Sequence, residues 1–214
     1  MKLYGYWRSS ASWRVRIALE LKGLPYDYVP VHLVKDGGEQ HADAHRERNP
    51  MRQVPVLEVD AAGALHHLGQ SLAILEYLEE AYPAPALLPR APLARAKVRQ
   101  IAETINAGVQ PLQNLAVLQH LKAIGADDKA WAEHWIGRGM EAVETLVKPV
   151  AGAFCVGDTP TFADACLVPQ MFAMRRFGID GERFPTLLRI EQHCSTLPAF
   201  QRAHANAQPD AQPA

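Results

Sequence analysis

The spacing of apolar residues changes character along the chain. From Lys2 to Trp7 the alternation of Leu3, Tyr4, Tyr6 and Trp7 predicts a short strand. Val15, Ala18, Leu19 and Leu21, with Ile17, then form a helical stripe that opens at Ser9 to Ser12 and stops at Gly23. YDYVPVHL predicts a second strand, and VKDGGEQHADAHRERN, polar and glycine-containing, a surface loop with room for one short helix. PVLEVD reads as a third strand and GALHHL as a fourth, across a D-A-A-G turn. QSLAILEYLEEAY predicts a helix with Leu72, Leu75 and Leu78 on its inner side. The order β-α-β-(α)-β-β-α holds crossovers, which pair strands in parallel, and one hairpin, which pairs them antiparallel, so residues 1–82 form an α/β domain.

After Tyr82 the pattern breaks. PAPALLPRAP, residues 83–92, is proline-rich, cannot continue a helix and reads as a linker. Residues 93–214 show no strand pattern. Helical stretches fall near 92–122, 128–146, 161–177 and 185–203, giving an all-helical domain, with Gly108 and Pro111 expected to kink the first. TPTFAD has the form of a capping box, Thr161 being the cap and Asp164 the residue that reaches back to it. The tail NAQPDAQPA has too little apolar content to pack alone.

Composition narrows the classes. Of 214 residues 48% are hydrophobic and 21% charged, an ordinary globular balance, and no run approaches the roughly 20 apolar residues of a membrane span. Strand-like sequence from Lys2 onward leaves no room for a signal peptide, so a cytoplasmic protein is expected. A net charge of −1 gives no footprint for nucleic acid or an acidic membrane, so any anionic ligand must be held by local charges. Cys155, Cys166 and Cys194 are odd in number and set in apolar or helical surroundings, which favours buried reduced thiols. Nine histidines lack a ligand spacing, and His66 and His67 would point to opposite faces of a strand; no metal is assigned.

Candidate chemistry gathers where the first strand meets the first helix, in WRSSASWRVRIAL. A serine there is first of all a favoured helix cap, worth about 1 kcal/mol. The same position presents unpaired N–H groups, partial positive charge and a hydroxyl able to donate to an incoming thiolate. A thiol of pKa about 8.5 is only a few per cent ionised at neutral pH, and lowering it by about two units takes roughly 2.7 kcal/mol. A helix end supplies about 0.3 to 1 kcal/mol and a hydrogen bond to a charged group about 1.5 to 3, so hydroxyl and helix end must act together. Arg14 and Arg16 have the bland reading of solvated charges pairing across the helix surface, or of supports for the junction. Taken singly, Val54-Pro55 is a turn, Gln70-Ser71 a helix start, and Gln40, Gln110 and Asn114 solvated or packing residues.

Together these residues resemble a known family. The two-domain order, with QVP before the third strand and QS opening the second firm helix, is similar to that of the cytosolic glutathione transferases, which join a thioredoxin-like α/β domain to an all-helical one. SSASWRVRIAL, KDGG, NPMRQVP, QSLAILEYLEE, QPLQNL, FCVGDTPTFADACLVPQ and RRF resemble the zeta class in particular. The resemblance implies glutathione as cofactor, with Ser9 as the residue that holds its thiolate and Ser10 as runner-up. It places Ser9, Ser10, Ala11, Ser12, Trp13 and Arg14 along the tripeptide and makes Val54-Pro55 a cis bond that turns Val54 towards its cysteinyl part. It sets Gln70 and Ser71 at the γ-glutamyl end, Gln40 at the glycyl end, and Gln110, Asn114, Leu115 and Ala116 as contacts from the helical domain. Arg8 and Arg176 would face the acid groups of a dicarboxylate, Arg175 being a weaker candidate. The class pattern is mostly Ser-Ser-Cys-Ser; this chain has Ala11 in place of that cysteine, which puts in doubt any activity that uses it but leaves the hydroxyl route intact.

The activity implied is glutathione-dependent cis–trans isomerisation of a maleyl diketo acid in the breakdown of tyrosine and phenylalanine, or of gentisate-type aromatics, by a homodimer. Maleylpyruvate is the alternative substrate; QPLQNLA and SSASWRVR favour maleylacetoacetate, since the maleylpyruvate branch carries more basic groups in the QPLQNL region. Rival readings are a conjugating transferase or dehalogenase acting on small halo-acids, and a noncatalytic binding protein that keeps the fold.

Overall fold

A computed structural model describes residues 1–212. The chain divides into two compact units, Met1–Ala86 with the chain from Leu197 onward, and Leu87–Thr196. The expected helical domain of residues 93–214 thus loses its last stretch to the first unit.

In the first unit, strands β1 (Lys2–Gly5), β2 (Asp27–Pro30), β3 (Val56–Ala61) and β4 (Ala64–Leu68) make one mixed sheet in the order β2-β1-β3-β4. β1 and β2 are parallel, joined through helix α1 (Ser10–Lys22), whereas β3 is antiparallel to both β1 and β4. The register puts Leu3 opposite Leu57 and Tyr4 opposite Val56, so alternate residues serve opposite faces. Tyr4, Val31 and Val56 form an apolar cluster on one face. Leu3 and Leu57 are wholly buried on the other, as are Val15, Ile17 and Leu19 of α1 and Ile74, Leu75 and Leu78 of α3 (Ser71–Ala81), and these two helices pack together. The β3–β4 turn places Ala62 and Gly63 at φ 54° and 77°, the twist a two-residue hairpin requires. The loop of residues 34–49 folds into two single 3₁₀ turns and the short helix α2 (Asp43–Arg48).

Helix α1 ends at Gly23 in the left-handed conformation, φ 65°, which needs no Cβ. Just before it, Lys22 buries its ammonium and donates to Glu79 (2.8 Å) and to the carbonyls of Tyr82 (2.8 Å) and Pro85 (2.9 Å), fixing the chain as it leaves α3.

The second unit holds α4 (Pro92–Gly108), α5 (Leu115–Ala123), α6 (Asp128–Val147), α7 (Phe162–Arg175) and α8 (Pro185–Ser195). α4 packs on α6 and α7, and α7 on α8, around the wholly buried Val98, Ile105, Met140, Leu167, Met171 and Leu187. The predicted kink at Gly108 and Pro111 is instead a full break: Gln110–Gln113 form a 3₁₀ turn, and Asn114 then caps α5 by accepting from Ala116 N–H at 3.0 Å. The helix expected over 185–203 is likewise two, because Pro198, with no N–H to give, starts α9 (Pro198–Ala203) in the first unit. The capping box is present: Asp164 accepts from Thr161 N–H and Oγ1 and from Cys155 N–H, each at 2.8 Å. All three cysteines are buried thiols outside any disulfide.

Candidate functional site

The site is built on the turn that leads from β1 into α1. Ser9 sits in extended backbone, φ −67° and ψ 118°, so that its carbonyl receives Trp13 N–H at 2.8 Å and its Oγ receives Ser12 N–H at 3.3 Å. The hydroxyl accepts in this cap, so its own proton remains to be donated outward. Cap and donor are therefore compatible roles for one side chain. Ser10 and Ala11 follow in the first helical turn, half-buried, whereas Ser12 and Trp13 point inward and are closed off. Arg8, half-buried, lays its guanidinium over the Trp7 ring at 5.5 Å and the Tyr6 ring at 5.8 Å, and has no carboxylate partner among the described residues.

Of the two readings of Arg14 and Arg16, solvated surface charges or supports for the junction, the structure selects the second: both are 0% exposed. α1 is buried from Ser12 to Leu19 without a polar face, so its arginines are structural cations. Arg14 Nη1 donates to Ser71 Oγ at 2.7 Å, which joins the N-terminal halves of α1 and α3. Arg16 donates to the carbonyls of Trp7 (2.7 Å) and Ala203 (3.0 Å) and, at 3.5 Å, of Tyr6.

At the start of α3, Gln70 holds φ 62° and offers no side-chain acceptor to the first turn. The leading N–H groups of that helix are therefore uncapped by a side chain, with a buried guanidinium one hydroxyl behind them. This arrangement suits a carboxylate. Val54-Pro55 is cis, and the preceding carbonyl, of Gln53, is held by Asn49 Nδ2 at 2.9 Å and His45 Nε2 at 3.0 Å. Gln40 is 8% exposed; its Nε2 donates to Leu33 O at 3.1 Å, and its Oε1 is buried with no hydrogen-bond partner among the described residues.

In the second unit, Gln110 and Gln113 both donate to the buried Gln170 Oε1, at 3.3 and 2.8 Å, and Gln170 Nε2 donates back to Gln113 at 3.2 Å. Leu115 and Ala116 begin α5 directly beyond its Asn114 cap. Arg176 is exposed at the end of α7, next to Arg175, which is also exposed and is engaged by both carboxylate oxygens of Glu191. Among the described residues no group of histidine, cysteine and acidic side chains could hold a metal.

Residues 3–86 match the model of the glutathione S-transferase N-terminal domain. A probable maleylacetoacetate isomerase of Drosophila melanogaster is 52% identical over 99% of this chain and 90% of its own length. The chain belongs to the glutathione S-transferase family. Among solved structures, the maleylacetoacetate isomerase of Anaeromyxobacter dehalogenans 2CP-1 superposes with a TM-score of 0.91 at 52% identity, covering 99% of this chain and 97% of its own. That protein has been seen with glutathione in its active site, and with dicarboxyethyl glutathione and citrate there. A maleylpyruvate isomerase, a bacterial zeta-class transferase, superposes with a TM-score of 0.92 at 44% identity, over 99% of this chain and all of its own.

Within the transferase fold the first unit thus brings together Arg8, the Ser9–Arg14 stretch and Ser71, while Gln110, Asn114, Leu115, Ala116 and Arg176 are framed by the second. Gln170 is a supporting residue that the sequence reading missed. Its signal was a lone amide in the otherwise apolar run ACLVPQMF.

Proposed function

We propose that this chain catalyses the glutathione-dependent cis–trans isomerisation of maleylacetoacetate to its fumaryl isomer. Support comes from the family, from relatives bearing that activity in their names, and above all from Ser9, whose oxygen caps α1 while its proton stays available to a sulfur anion. The residues fit the cofactor. The uncapped start of α3 backed by Arg14 and Ser71 suits the γ-glutamyl carboxylate, and the unpartnered Gln40 Oε1 suits a donor from the glycyl end. Bound glutathione supplies a nucleophilic thiol that lowers the double bond to a single bond for rotation and is recovered unchanged.

The chain's own residues do the rest. Ser9 and the N-terminal end of α1 hold the thiol in its ionised form. Arg8, stacked and without a carboxylate partner, and Arg176, exposed at the end of α7, orient the two acid groups of the substrate and stabilise the negative charge that develops between them. Ala11 removes a thiol from the motif without touching this route. The uncharged Gln110–Gln113 turn favours maleylacetoacetate over maleylpyruvate.

We place the enzyme in the cytoplasm, in tyrosine and phenylalanine breakdown, as a homodimer. No helix among the described residues is long and apolar enough to cross a membrane. The test is to mix the protein with glutathione and maleylacetoacetate: isomerisation with free thiol undiminished supports the proposal, and stoichiometric thiol loss with a halo-acid in its place would support the conjugating alternative. Ser9→Ala is expected to raise the pH at which bound thiol ionises by about 1 to 2, the range of a hydrogen bond to a charged group. An unchanged ionisation profile refutes the role of Ser9.

A further inference from the structure

The turn that carries Arg8 and Ser9 is held by two charged groups of opposite sign. Ser9 N–H closes the turn on Tyr6 O at 3.0 Å. The Trp7 peptide is then gripped at both ends: its carbonyl accepts from the buried Arg16 at 2.7 Å, and its N–H donates to Asp210 Oδ2 at 3.0 Å. Asp210 comes from the C-terminal stretch, 203 positions away in the chain. Its other oxygen is buried and accepts nothing among the described residues, so its hold on the turn runs through Oδ2, which Tyr28 OH also reaches at 3.3 Å.

We infer that Asp210 is a positioning residue for the reaction, fixing the Trp7 peptide and hence the directions in which Arg8 and Ser9 point. The inference rests on the proposed role of Ser9. The C-terminal stretch has anchors that do not involve Asp210. Arg202 pairs with Glu20 at 2.6 Å and Arg16 donates to Ala203 O at 3.0 Å, while within the stretch itself Gln208 Nε2 donates to the carbonyls of Arg202 and His204, both at 3.0 Å. Trp13 also meets His204 edge to face, with ring centroids 4.8 Å apart. Removing the Asp210 carboxylate therefore frees the turn without releasing the stretch. A hydroxyl that must meet a sulfur anion is sensitive to displacements of about 1 Å.

The test compares the full chain with Asp210→Ala, Asp210→Asn and Ser9→Ala, following thiolate absorbance of bound glutathione against pH, glutathione affinity by tryptophan fluorescence, and turnover. Asp210→Ala is expected to raise the ionisation midpoint by about 1 pH unit and weaken glutathione about tenfold. It should also lower kcat and, through the displaced Arg8, raise the substrate KM. Asp210→Asn, which keeps an acceptor for Trp7 N–H, recovers most of each loss. A role in stability alone would lower Tm and leave the midpoint where it was. A wild-type midpoint in folded Asp210→Ala, beside a shifted midpoint in Ser9→Ala, overturns the inference alone; a wild-type midpoint in Ser9→Ala itself overturns the reading beneath it. Should Asp210→Ala fail to fold, Asp210→Ser, too short to reach Trp7 N–H, decides: a raised midpoint upholds the inference and an unchanged one overturns it.

Discussion

Arg14 offers the sharpest separation between holding the fold and holding the ligand. Its guanidinium lies 2.7 Å from Ser71 Oγ. A carboxylate at the start of α3 that accepts from the same hydroxyl adds a second hydrogen bond of about 2.7 Å, setting the two charges about 5 Å apart. At an effective dielectric of about 20 they attract by about 3 kcal/mol. The opening beside Gln70 is exposed, and water there screens about half of this, leaving about 1.5 kcal/mol, or roughly tenfold in affinity. Arg14→Met keeps the length of the side chain and removes the charge. Titration of tryptophan fluorescence with glutathione should then show about tenfold weaker binding. An analogue whose γ-glutamyl α-carboxylate is an amide should bind the wild type about tenfold more weakly, yet lose little more in Arg14→Met, since the two changes delete one interaction. If Arg14→Met weakens both ligands equally, or leaves glutathione binding untouched, the guanidinium supports the helices and not the ligand.

Two further expectations concern the frame of each unit. Glu58 accepts from Lys2, from Tyr4 and from His67 in its proton-bearing tautomer, each at 3.0 Å. The Lys2 bond chiefly, opposed by burial and helped by His67 and Tyr4, lowers its carboxyl from 4.5 to about 2. A folded value below the unfolded one gives stability that is present above the unfolded value and lost as pH falls through the folded one. The urea midpoint of the wild type should therefore fall between pH 4.5 and about 2, and Glu58→Gln should flatten that limb; a pH-independent offset between the two proteins contradicts the linkage. Asp164→Ala should cost on the order of 3 kcal/mol in urea unfolding, because it strips three donors, two of them buried backbone N–H groups, of their acceptor. A loss below about 1 kcal/mol would mean that water replaces the carboxylate.

How far the sequence alone reached depended on whether a residue's role is local. Strands, the β3–β4 turn, the Gly23 stop and the Thr161–Asp164 box were legible because period and cap chemistry act over a few residues. The break after Gly108 was underestimated: a glycine and a proline three positions apart signal an interruption, but only the amide cluster of Gln110, Gln113 and Gln170 makes a 3₁₀ turn with a fresh cap the better solution. For Arg14 and Arg16 the choice between surface charge and junction support stayed open because α1 has no polar stripe, so period could not say which way a charge faces, and their partners Ser71 and Ala203 lie far along the chain. Ser9 was legible as a cap; that its proton stays free was not, since this depends on which way the cap bond runs.

The return of the chain from Leu197 onward to the first unit bears on synthesis. A nascent chain that has cleared the ribosome only as far as Thr196 already has every residue of the second unit, but Arg16 still lacks its acceptor at Ala203 and the Trp7 peptide its carboxylate. The part begun first is thus finished last, and the turn bearing Ser9 takes its final set after translation has passed the helical body.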